Sequence, residues 1–266
     1  MASVPAKVSA RVSAGLKRFQ PVIDEARKRD VNESDTVTIV TDLLSDVFGY
    51  NKYSEITSEH AVRSTFCDLA IKLDGDLAVL VEVKAIGLEL KDGHITQAVN
   101  YAANQGCEWV VLTNAMHWNV YQVTFGKPIG SELVLDLNLL ALGHRKADDV
   151  ELLALLSREA WKKSRLDDYA IQKQALSRFS IAAVLLSDTC LQLVRRELRK
   201  ISRDVKVELG DIERVLVQEV IKREAIEGEK ADAAKKLVAK AARRALRNAE
   251  KNAALPATRP PAAKAS

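Results

Sequence analysis

Apolar positions along this chain change period several times, and each change predicts an element. From Ala6 to Arg29, Val8, Val12, Leu16 and Phe19 recur at helical spacing, with Pro21 expected to kink or divide the helix. A second helix starts near Asn32 or Ser34, either a suitable N-cap, and carries Val37, Val40, Leu43, Leu44 and Val47 to a stop at Gly49. A short strand is expected around Tyr53–Ile56. The period then falls to two across Phe66–Lys84, FCDLAIKLDGDLAVLVEVK, which reads as two strands joined at Asp74-Gly75-Asp76. Alternation puts Cys67, Leu69, Ile71 and Leu73 on one face of the first strand. It does the same for Leu77, Val79, Val81, Val83 and Ala85 on the second. A helix from about Asp92 to Gln105 packs through Ile95, Ala98, Val99 and Ala102, and strands follow at Glu108–Thr113 and His117–Thr124. This order predicts an α/β (α+β) fold, a mixed sheet flanked by helices.

The chain turns almost wholly helical at Ala147. The segments are Asp149–Lys163, Ala170–Phe179, Ile181–Ile201 and Leu209–Ile226, where Trp161, Tyr169 and Phe179 read as core anchors. Lys230–Lys251 is a helix favoured by its Ala, Lys and Arg content, with little apolar face. The organisation expected is a core at 1–146, a helical region at 147–252 and a disordered tail at 253–266.

The paired strands carry the chemistry on their other faces. In an antiparallel hairpin the two apolar faces coincide only if the connection has an odd number of residues, because a one-residue slip turns a strand over. A three-residue loop sets Leu73 opposite Leu77, and counting back sets Asp68 opposite Glu82. Carboxylates about 4.5–5.5 Å apart at Cβ repel unless a cation lies between them. Lys84, two residues beyond Glu82, supplies part of that cation, and a hard divalent metal bound by oxygen would supply the rest. The second strand is so apolar that both of its faces should be covered, which makes unpaired Glu and Lys costly there.

Composition narrows the setting. No run of about 18 apolar residues is present, so no membrane-spanning helix is expected, and the first residues lack the apolar stretch of a signal peptide. A cytoplasmic protein is the default. Cys67, Cys107 and Cys190 are far apart and form no C-x-x-C pair, which points to neither a disulfide framework nor zinc. Net charge is +4, but Gly228–Ser266 holds ten Lys or Arg against three Asp or Glu. The basic character therefore belongs to the C-terminal end, where it suits DNA phosphates or solvent equally.

The spacing Asp68-x13-Glu82-x-Lys84 resembles the PD-(D/E)XK nuclease superfamily, with Cys67 where that pattern has Pro. Further on, Gln97 and Tyr101, then Trp109, Leu112, Thr113 and Asn114, then Trp118 and Tyr121 resemble the N-terminal nuclease domain of type I restriction enzyme R subunits. Ala115 stands where that family has Gly. Arg178–Asp188 and the run LVRRELRK resemble stand-alone bacterial relatives, and no GxxxxGK[ST] occurs in this sequence, so it carries no helicase motor of its own.

The resemblance implies a restriction-endonuclease-like core in which Asp68, Glu82 and the Val83 carbonyl ligate Mg²⁺ or Mn²⁺. Lys84 would hold the attacking water and stabilise charge. Glu33 matches the family's acid on the preceding helix, although the helix dipole alone explains an acid there. Gln97 matches a glutamine beside the site, although it lies opposite the apolar stripe of its helix. His94 reads as a dipole or solvent contact. The activity implied is metal-dependent endonucleolytic hydrolysis of DNA, in bacterial or phage restriction, defence or processing. The alternative is a catalytically silent nuclease-fold subunit that binds DNA or assembles a complex. DNA is the expected partner, a homodimer through the C-terminal helices is a further expectation, and no membrane is involved.

Overall fold

A computed structural model describes residues 4–62, 65–201 and 206–253. The chain divides into two compact units, Met1–Ala170 and Ile171–Ser266.

The first unit is built on a six-stranded sheet in the order β1 (Ile56–Val62), β2 (Thr65–Leu73), β3 (Asp76–Val83), β4 (Trp109–Thr113), β5 (His117–Thr124) and β6 (Gly130–Asn138). Only β3 and β4 run parallel, joined by the crossover helix α3 (Asp92–Gln105); all other neighbours are antiparallel. The result is the mixed α/β sheet expected, with more strand than the sequence suggested. β1 begins at Ile56 and extends to Val62 rather than occupying Tyr53–Ile56, and β6 was not anticipated.

Each face of the sheet has its own core. On one side α1 (Ala6–Lys28), α2 (Glu33–Asp42) and the π-helical turn Leu43–Val47 bury Val12, Leu16, Ile23 and Leu43 against Leu69, Val79, Val81 and Trp118. On the other, Ile95, Ala98, Val99, Tyr101 and Ala102 of α3 cover Ala70, Leu80, Val110 and Leu112. β3 is therefore covered on both faces, as its composition requires. α1 runs unbroken through Pro21, which costs one backbone hydrogen bond that the apolar stripe on either side outweighs. α2 is capped by Asn32, whose side chain accepts the Asp35 N–H at 2.9 Å.

The sequence changes character at Ala147, but the compact units divide later. α4 (Ala147–Ala154) and α5 (Arg158–Trp161) bury Val150, Leu153 and Ala160, and Trp161 meets Trp109 edge-on at 5.7 Å. Arg158 also forks onto the buried Glu55 at 2.7 and 2.8 Å. These contacts tie residues beyond 146 to the sheet. α6 (Arg165–Ala175) crosses the division, and Tyr169 packs on the first core.

The second unit contains α7 (Arg178–Leu185), α8 (Asp188–Ile201), α9 (Leu209–Val215) and α10 (Glu229–Ala253). The helices expected at Ala170–Phe179 and Ile181–Ile201 are divided differently because serines interrupt them: Ser177 caps α7 through the Ser180 N–H at 3.2 Å, as Ser157 caps α5, and Ser187 precedes α8. Phe179 stays half-buried with the Arg178 guanidinium 5.0 Å over its ring. The tail expected to be disordered lies, from residue 254, outside the described residues.

Candidate active site at the β2–β3 hairpin

The hairpin reaches the expected register by another route. Its turn is a two-residue one, with Asp74 at φ 54° and Gly75 at φ 97°, rather than the three-residue loop read from the sequence. A bulge follows: Leu73 pairs with Asp76 and Lys72 with Leu77, but Ile71 pairs with Val79 and Leu69 with Val81. Ala78 is the extra residue, and it packs on the same core as Val79 while Leu77 turns to the α3 side. Two turn residues plus one bulge residue preserve the odd count, so Asp68 and Glu82 are next in register beyond Leu69 and Val81. Cys67 departs from the alternation and joins the α3-side core, away from Leu69 and Ile71.

At this end of the sheet the side chains converge. The Val83 N–H donates to Asp68 Oδ2 at 2.6 Å. Lys84 Nζ donates to Glu82 Oε1 at 2.7 Å and lies 3.6 Å from Glu33 Oε2. The Lys84 N–H also bonds the Thr113 carbonyl at 2.8 Å, which holds the residue just past the β3–β4 pair. Side-chain exposure is 12% for Glu82 and 18% for Lys84, against 50% for Glu33. Burial raises the Glu82 carboxyl, with the Asp68 and Glu33 charges adding to it and Lys84 opposing. Burial works against the Lys84 ammonium, but its bond to Glu82 and the charges of Glu82, Glu33 and Asp68 prevail, so its pKa is raised. Lys84 is thus a committed cation in an acidic surrounding.

Glu33 reaches Lys84 because the segment after β3 is held against the α1–α2 connection. Gly87 sits so close to Asp30 that a Cβ there would run into the Asp30 carboxylate. Asn114, almost fully buried, donates to the Ile86 and Leu88 carbonyls at 3.2 and 2.9 Å and accepts the His117 N–H at 2.7 Å. The Thr-Asn pair at the end of β4 therefore fastens the segment leaving Lys84. In the sequence Asn114 stands within a motif without a role of its own, and no local pattern singles out Gly87. Ala115, where the resemblance has Gly, adopts φ 67° and accepts the Trp118 indole N–H at 2.9 Å. The turn survives the substitution.

The other candidates are less engaged. Gln97 is exposed on α3, with no hydrogen-bond partner among the described residues, while Tyr101 is buried in the α3 core. His94 Nδ1 accepts the Lys91 N–H at 3.2 Å, a capping contact at the start of α3 rather than a dipole or solvent contact alone. Val83 contributes its N–H to Asp68.

A metal can be tested only through the donors present. Asp68 Oδ1 and Glu82 Oε2 have no hydrogen-bond partner among the described residues, whereas each carboxylate's other oxygen is held. Among those residues no group of three His, Cys, Asp or Glu is disposed around one point. Mg²⁺ is commonly bound by one or two carboxylates, with waters and substrate phosphate completing the shell. Two carboxylate oxygens without a hydrogen-bond partner among the described residues fit that pattern.

Residues 39–134 match the family model described as type I restriction enzyme R protein N terminus. The matched stretch contains Asp68, Glu82, Lys84 and Gln97; Glu33 precedes it. No curated protein and no solved structure matches the chain.

Proposed function

We propose that this chain, matched over residues 39–134 to the R protein N terminus, is a metal-dependent deoxyribonuclease of the restriction type. The observation that carries the reading is the juxtaposition of Asp68 and Glu82, each with one oxygen that has no hydrogen-bond partner among the described residues, and the Lys84–Glu82 bond at 2.7 Å. Ionised acids on adjacent strands repel, and burying them is costly unless a cation uses them.

Asp68 and Glu82 would hold Mg²⁺ or Mn²⁺, with the Val83 carbonyl as a further ligand. When bound, the metal supplies Lewis-acid polarisation of the scissile phosphate and a more acidic water. The rest falls to the chain. Lys84, a stabilised ammonium, is a poor proton acceptor at neutral pH; its role is to hold the attacking water and balance charge growing on the phosphate oxygens. Glu33, 3.6 Å from the Lys84 ammonium, helps to orient it. Gln97, exposed on α3, is free to contact the phosphate of an incoming strand. A cytoplasmic setting and pairing of two copies through the C-terminal helices belong to the same reading, and sedimentation checks the second.

The test is incubation of plasmid, linear duplex, single-stranded DNA and RNA with Mg²⁺, Mn²⁺ or EDTA. Metal-dependent cutting of DNA supports the reading. Stable DNA binding with no cutting under any metal would favour a silent nuclease-fold subunit instead.

A further inference from the structure

We infer that the outward face of α10 grips the sugar-phosphate backbone of duplex DNA without reading its sequence. This inference rests on the nuclease reading and adds a second contact surface, outside the matched residues. Ala231 and Ala234 are buried on the inner side of α10, which packs against α7 within the second unit. Lys236, Lys240, Arg243 and Arg247 recur on one helix face, exposed, around a shallow recess that also includes Ala239 and Leu246.

Their chemistry differs from that of an ordinary solvated face. From Ala233 to Ala249 no Asp or Glu occurs. None of the four cations, nor Arg244, has a carboxylate partner among the described residues. Elsewhere in the same unit acids and bases are interleaved: Glu197 takes both Arg196 and Lys200, Asp211 takes Arg214, and Glu227 takes Arg223. Like charges one helical turn apart destabilise a helix, so the row is held at a cost that a polyanion removes. The eleven steps from Lys236 to Arg247 rise about 16 Å, which matches roughly five phosphates of one strand at about 3.4 Å of rise each.

The same residues argue against other occupants. A membrane-surface helix needs a broad face of large apolar or aromatic side chains. The recess offers only Leu246, and α10 contains no aromatic residue. Base reading needs side chains such as Asn or Gln beside the cations, and none of Asn, Gln, Ser or Thr falls between Ala233 and Arg247.

The experiment is fluorescence anisotropy of a labelled duplex with the full chain in EDTA, where no cutting interferes, between about 50 and 200 mM salt. The variant combines Lys236→Gln, Lys240→Gln, Arg243→Gln and Arg247→Gln, with circular dichroism to verify that the helix persists. Affinity at the lowest salt should fall at least about tenfold, and the slope of log K against log salt should flatten by about 3 to 4. An unchanged slope would overturn the inference. So would an equal loss on neutralising the paired cations Arg178, Lys200, Arg214 and Arg223, or binding of phosphatidylserine vesicles in preference to the duplex. Cutting by the wild type is scored separately, so either reading can fail alone.

Discussion

The Val83 N–H holds Asp68 Oδ2 at 2.6 Å, so the carboxylate of one strand is pinned to the backbone of the next, between Glu82 and Lys84. The second carboxylate is fixed by Lys84. Each acid is oriented through one oxygen, and the other has no hydrogen-bond partner among the described residues. Preorganisation of this kind lowers the cost of ordering the groups around a ligand.

Metal binding should therefore be measurable without substrate. Mg²⁺ or Mn²⁺ at about 100 times its Kd would stabilise the fold by about 2.7 kcal/mol. Thermal melts with metal and with EDTA check this. The shift should vanish in Asp68→Asn and in Glu82→Gln, which keep shape and one acceptor while removing charge.

Glu82 predicts a pH dependence. Its folded pKa lies above the ordinary carboxylate value, so the native state holds that proton more tightly than the unfolded chain. Between the two pKa values stability falls as pH rises, and above the window the ionised group remains a net penalty. In metal-free protein, Glu82→Gln should raise Tm at pH 7 relative to wild type and have little effect near pH 4. Melts at both values decide it; a variant less stable at pH 7 than wild type would reverse the sign.

Asn114 links stability to the site. Asn114→Ala removes bonds to Ile86, Leu88 and His117, and at about 1 kcal/mol for each buried bond should cost about 2–3 kcal/mol. Hydrogen exchange should rise first at residues 86–90, next to Lys84. Denaturant unfolding and site-by-site exchange measure the two effects.

The Glu55–Arg158 fork makes a structural prediction away from the chemistry. Glu55 also accepts the Asn51 N–H at 2.9 Å, so it is fastened at three points. Arg158→Ala strands a mostly buried carboxylate and should cost about 2 kcal/mol, since the partly exposed guanidinium tempers the full penalty of a broken buried pair. Urea unfolding gives the value, and metal affinity should be unchanged.

How far the sequence carried varies with the kind of interaction. The Asp68–Glu82 register was legible because parity survives details: a two-residue turn plus the bulge at Ala78 gives the same phase as a three-residue loop. The bulge itself was hidden, since Leu77 and Val79 are equally apolar and alternation cannot show which one turns over. The α3 stripe was legible for the same reason that Gln97 looked exposed; both follow from helical period. Glu33 beside Lys84 depends on long-range packing of Gly87 against Asp30, which no local pattern encodes. β6 escaped notice although Val134, Leu135 and Leu137 are buried in it. Among the C-terminal helices, the recurrent Leu-Ser steps at Ser157, Ser177 and Ser187 were the overlooked clue, a small hydroxyl before each new helix.

The Lys84 ammonium lies beside two acids, bonded to Glu82 at 2.7 Å and 3.6 Å from Glu33. Supercoiled plasmid should be nicked or linearised by the wild type with Mg²⁺ or Mn²⁺ and left intact in EDTA, while Lys84→Ala, folded by circular dichroism, should lose at least about 100-fold in rate. Cutting at equal rates by wild type and Lys84→Ala, or cutting undiminished in EDTA, would contradict metal-dependent cleavage at this site.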